Sequence, residues 1–164
     1  MKKLLPPHLQ SFTHDGFTLI ELIVVFALFG ILSMAGLSAY SIFSSSQGIQ
    51  VGAADLANVL TTAKTRAISQ AAPPQCSGKS LQGYWVNMNL LTSQFSLSAA
   101  CSGTIYLLDT HNLPPSVKFV AGSMTSVFFI VSSGSPNTPG TITLNSNGKT
   151  KTISVQSTGN IMTN

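Results

Sequence analysis

Between Glu21 and Asp55 the sequence carries no charged residue, and the first part of that interval, Leu22 to Phe43, is almost wholly apolar. A run of this length can cross a bilayer as a helix, which needs roughly 20 residues. It is apolar on every side, whereas a surface helix of a soluble domain keeps a polar face. The rest of the chain is rich in Ser, Thr, Asn and Gly. Overall the 164 residues are 44% hydrophobic but only 7% charged, against roughly 25% charged in ordinary soluble domains. That split predicts a transmembrane helix over residues 17–44 and a polar, exported domain over residues 45–164. Lys2 and Lys3 lie before the apolar run, so the bias of basic residues places the N-terminus in the cytoplasm.

The first sixteen residues do not read as an ordinary secretory signal. Lys2 and Lys3 supply a basic start, but Leu4-Leu5 runs at once into Pro6-Pro7, and no apolar core precedes Gly16. A secretory signal has its apolar core before the cleavage site. Here the apolar run begins only at Phe17.

Beyond the span, residues 45–72 predict an amphipathic helix. Leu56, Val59, Leu60, Ala63 and Ala67 recur at spacings of three and four, with Asp55, Lys64 and Arg66 between them. Pro73-Pro74 stops the pattern, because proline lacks the amide donor and restricts the residue before it. Residues 75–164 then shift to short β-rich runs: 84–88, 94–98, 104–108, 117–120, 127–131, 141–144 and 150–155. Turn residues separate them, and Asn147-Gly148 has the chemistry of a two-residue hairpin turn. The predicted fold class is α+β: one long N-terminal helix, membrane-spanning in its first half, packed on a mainly antiparallel sheet.

Two cysteines, Cys76 and Cys101, read as one disulfide in an exported domain; two free buried thiols are the alternative. The formal net charge is +4, which permits an anionic partner without demanding one. Lys149 and Lys151 flank the hairpin turn as the candidate contacts for nucleic acid, and a solvated hairpin face is the plainer reading. No metal-ligand cluster, phosphate loop or nucleophile motif is present. His111 is the one histidine outside the first sixteen residues, and Asp109-x-His111 has no evident partner in the sequence. The chain therefore reads as a non-enzyme with no catalytic residues, no cofactor and no metal.

The most specific signal is Gly16-Phe17-Thr18-Leu19-Ile20-Glu21. A carboxylate at membrane depth is costly and usually functional, although Glu21 could also sit in the headgroup layer at little cost. The hexapeptide resembles the processing site of type IV prepilins and type II secretion pseudopilins. That resemblance implies a prepilin leader over residues 1–16, cleavage by prepilin peptidase between Gly16 and Phe17, and N-methylation of Phe17. It also implies an assembly role for Glu21. Its carboxylate can neutralise the new Phe17 amine within its own chain or on a neighbour, and an unpaired glutamate in a filament core would be penalised. One departure is Ser38, which stands where many major pilins carry proline.

The remainder resembles the GspH/FimT family, through Ala53-Ala54-Asp55-Leu56-Ala57, Lys64-Thr65-Arg66-Ala67-Ile68, Phe128-Phe129 and the stretch to Gly159. The resemblance implies a minor pilin or pseudopilin. Its expected partners are prepilin peptidase, other pilins or pseudopilins, an inner-membrane assembly platform and membrane lipid. The expected location is the bacterial inner membrane, single-pass, with a periplasmic C-terminal domain, and the filament itself. The alternative is a DNA-binding competence pilin. Some relatives use arginines near the C-terminus for that purpose, but Gly159-Asn160-Ile161-Met162-Thr163-Asn164 offers none, which argues against nucleic acid.

Overall fold

The computed structural model describes residues 16–164, apart from the side chains at 35–39 and 41. The expected leader, with Lys2 and Lys3, lies outside the described residues except for Gly16, and so does the side chain of Ser38. The chain divides into two units that part after Tyr40.

The N-terminal unit holds the start of a long helix, α1 (Leu19–Ile68). The second unit holds the rest of α1 and eight strands: β1 (Leu81–Asn89), β2 (Gln94–Cys101), β3 (Thr104–Asn112), β4 (Lys118–Phe119), β5 (Ser126–Ile130), β6 (Gly140–Ser146), β7 (Lys149–Val155) and β8 (Ile161–Thr163). They form two four-stranded sheets, ordered β3-β2-β1-β5 and β4-β6-β7-β8, and every pair within them is antiparallel. The sequence predicts a single sheet; the structure splits it in two. β8 is absent from the expected strands because it is only three residues long and shows no alternation.

Within the second unit, the buried stripe of α1 is Ile49, Ala53, Leu56, Leu60, Ala63 and Ala67. Steps of four and three keep it on one face. It joins Tyr84 and Val86 of β1, Phe129 of β5 and Ile142 of β6 in one apolar core. Small residues let neighbours approach closely. At Gly52 an added Cβ would lie 3.2 Å from both Leu113 and Pro114. At Gly83 it would meet the ring of Phe128 at 2.6 Å, a ring packed on Trp85 with centroids 4.8 Å apart.

The helix stops at Ile68, four residues before the expected end. The amide of Gln70 donates to Ala67 O and that of Ala71 to Arg66 O, and Gln70 has φ 55°. This is a Schellman stop with glutamine where glycine is usual, so no glycine marks it in the sequence. The Ser132 amide caps the Ala67 carbonyl as well. Asn147 and Gly148 both have positive φ (48° and 81°), as the expected hairpin turn between β6 and β7 requires.

Candidate processing and assembly site

Gly16, Phe17 and Thr18 precede the helix, and Phe17 is 83% exposed. Thr18 caps the helix. Its hydroxyl accepts from the Glu21 amide at 3.3 Å, while the Glu21 carboxylate accepts from the Thr18 amide at 3.5 Å and from its hydroxyl at 3.4 Å. The two residues form a reciprocal capping box. The signal for it, Thr18-x-x-Glu21, stands in the sequence itself. Glu21 thus has a local partner in Thr18, and its charge sits at the favourable positive end of the helix.

From Gly16 to Met34 every residue is exposed, among them Phe26 (67%) and Leu32 (68%). Among the described residues no helix is long and apolar enough to cross a membrane. The apolar run continues through residues 35–39, whose side chains lie outside the description, so the span expected over residues 17–44 is not met by the described residues alone.

Elsewhere, Cys76 and Cys101 are joined, with Cα atoms 5.7 Å apart and both side chains buried. The bond ties the segment after α1 to the end of β2. Lys149 is exposed and Lys151 half-buried, both on β7 just after the hairpin turn. No further basic residue from the C-terminal tail joins them.

The sequence offers no partner for Asp109-x-His111; the structure supplies one. His111 lies on β3 rather than in a loop, and its Nδ1 is 3.5 Å from Asp55 Oδ2 of α1. Its Nε2 is 3.2 Å from Asp109 Oδ2. The carboxylates flank opposite nitrogens and do not converge on one point. Consistent with that, among the described residues no group of three or more His, Cys, Asp or Glu side chains is placed to hold a metal ion. Tyr84, fully buried, donates its hydroxyl to Ala71 O. Burial pushes its phenol above the ordinary tyrosine range, and the positive charge of Arg66 offsets this in part.

Comparison with known proteins adds two matches along the chain. Residues 13–37 match the prokaryotic N-terminal methylation motif, and residues 52–159 match the type II transport protein GspH. Among solved structures, the minor pseudopilin EpsH of the Vibrio cholerae type 2 secretion system aligns at TM-score 0.51 and 14% identity, covering 71% of this chain and 95% of that one. A crystal structure of the same pseudopilin also gives TM-score 0.51 and 14% identity, with 71% and 93% covered. At that identity the likeness concerns the fold. No curated protein sequence matches significantly.

Proposed function

The chain belongs to the GspH family of type II transport proteins, and on that premise we propose that it is a minor pseudopilin, a non-catalytic structural subunit of a type II secretion pseudopilus. The observation that carries this reading is the methylation motif followed by a helix whose described side chains from Leu19 to Met34 are all exposed. Exposed apolar area is unfavourable at about 25 cal/mol per Å². Such a helix is stable only inside lipid or among neighbouring helices, and a pseudopilin occupies both in turn. Residues 17–44 would anchor the precursor in the inner membrane, with residues 45–164 in the periplasm.

In this reading prepilin peptidase cuts after Gly16 on the cytoplasmic side and Phe17 is N-methylated. Cutting turns the Phe17 nitrogen from a neutral amide into a cationic amine. Glu21, released from its box with Thr18, can pair with that amine in its own or a neighbouring subunit. Its partners are the peptidase, the assembly platform, lipid and other pseudopilins. The β6–β7 hairpin offers nucleic acid only Lys149 and Lys151, too few phosphate contacts to hold a duplex at physiological salt.

The test separates the charge of Glu21 from its capping. Glutamine at the third helical position still completes a capping box, whereas valine does not, and neither carries charge. We expect Glu21→Gln and Glu21→Val both to be cut after Gly16, as read by N-terminal mass spectrometry, and both to be scarce in cross-linked filaments. Equal incorporation of Glu21→Gln and wild type would reject charge pairing. A mature chain that begins elsewhere than Phe17 would reject the pseudopilin reading itself.

A further inference from the structure

The sheet β3-β2-β1-β5 treats its two outer edges differently. At β5 the chain closes the edge with its own residues 135–137. The Asn137 amide donates to Phe128 O at 2.8 Å, the Phe128 amide to Asn137 Oδ1 at 3.1 Å, and the Ile130 amide to Ser135 O at 3.0 Å. At the opposite edge β3 pairs only with β2 among the described residues, and none of its nine residues is buried. An open edge of this length is a template for another strand, and proteins commonly guard it with lysine or proline. β3 has neither. Its one safeguard is a bulge at Leu108, where the partners pass from Leu107 opposite Ser98 to Asp109 opposite Leu97. That bulge leaves Thr104 to Leu107 in regular register.

We propose that β3 is a self-docking edge: a second copy of this chain pairs its own β3 antiparallel to it, about a two-fold axis at Tyr106. Two four-stranded sheets would then become one continuous sheet. The open backbone groups can be satisfied along their length only by another extended backbone. The side chains then select which one. Ile105 and Leu107 lie opposite Ala100 and Ser98, on the face turned away from the core. They are 58% and 63% exposed. A matching strand must carry two apolar residues, two positions apart, on that same face. β3 is itself such a strand. Pairing about Tyr106 sets Ile105 of each copy opposite Leu107 of the other, so four exposed aliphatic side chains cover one another. In this register Asp109 falls opposite Gly103 of the copy, and no like charges stand directly opposite. The contact is isologous and closes as a dimer. Lys79, whose ammonium contacts the Tyr106 hydroxyl and lies 5.0 Å from the ring centroid, approaches its own copy near the axis. Added salt should therefore tighten the contact. The proposal does not rest on the pseudopilin reading.

Cysteine cross-linking of the full chain in detergent micelles tests it. Directly opposed residues of antiparallel strands have Cα atoms about 5 Å apart, within disulfide reach, whereas pairs beyond about 7 Å are not. Tyr106→Cys meets its copy at the axis and should form a covalent dimer on mild oxidation. Thr104→Cys sits roughly 14 Å along the strand from its copy and should give about tenfold less dimer. The native Cys76–Cys101 bond is already made and buried, so it does not compete. Adding Leu107→Lys to Tyr106→Cys should cut the dimer strongly, because a charge then faces Ile105 of the copy. Should Tyr106→Cys fail to fold, as judged by circular dichroism, a mixture of Ile105→Cys chains with Leu107→Cys chains reads the same register at exposed positions. The mixture should cross-link and neither variant alone should. Equal dimer from Tyr106→Cys and Thr104→Cys would indicate chance collision or association through α1, and would overturn the proposal. So would a folded Tyr106→Cys that stays monomeric, a Leu107→Lys that changes nothing, or a mixture that links no better than its parts.

Discussion

Leu32 and Leu60 lie on the same helix, one 68% exposed and the other fully buried. In the first half of α1 the described apolar side chains from Leu19 to Leu32 are exposed on every face of the helix. In the second half the apolar residues keep to one stripe and close a core with two sheets. The difference shows what hydrophobicity specifies. A stripe names the side that must meet a partner, and the chain itself can supply that partner. An all-round apolar surface names only an environment, and the chain cannot supply it.

Truncation breaks this comparison most directly. Leu60→Ala should cost the domain about 4 kcal/mol, because the lost transfer energy adds to an unfilled cavity. Leu32→Ala should change domain stability by less than about 0.5 kcal/mol, as exposed substitutions do. Denaturant melts of the two variants in micelles check both, and equal costs would erase the contrast between the halves. Next comes the disulfide. The 25-residue separation of Cys76 and Cys101 corresponds to about 3.5 kcal/mol in the chain-entropy account. Reduction should lower the stability of the sheet-bearing unit by that order and leave the helicity of residues 19–34 intact, as circular dichroism and hydrogen exchange would show.

Smaller effects sharpen the picture at each end. Thr18→Ala removes the cap from the exposed half and should cost about 1 kcal/mol, read as faster amide exchange confined to the first turn of α1. In the core that the second half of α1 closes, Tyr84 of β1 should be the last tyrosine to ionise in an alkaline ultraviolet titration. Its phenol lies above the ordinary range, so the stability it contributes is complete below that range and is lost as pH rises through the folded-state value. If Tyr84→Phe leaves the late step in place, the assignment fails.

The sequence by itself determined the features that depend on neighbours along the chain. The apolar run, the hexapeptide from Gly16 to Glu21, the 3.6-residue stripe from Leu56 to Ala67, the alternation of seven strands and the Asn147-Gly148 turn are local patterns, and local sterics and periodicity suffice to read them. Tertiary structure decided the rest. The end of α1 at Ile68 depends on Gln70 holding positive φ while Ser132, more than sixty residues away, caps the Ala67 carbonyl. The split into two sheets and the short β8 were settled by pairing between distant segments. Asp55 and His111 met because α1 packs beside β3, and no spacing along the chain encodes that distance. Backbone preferences act over a few residues, but contacts across a core are chosen by shape and burial, which exist only once the chain has folded.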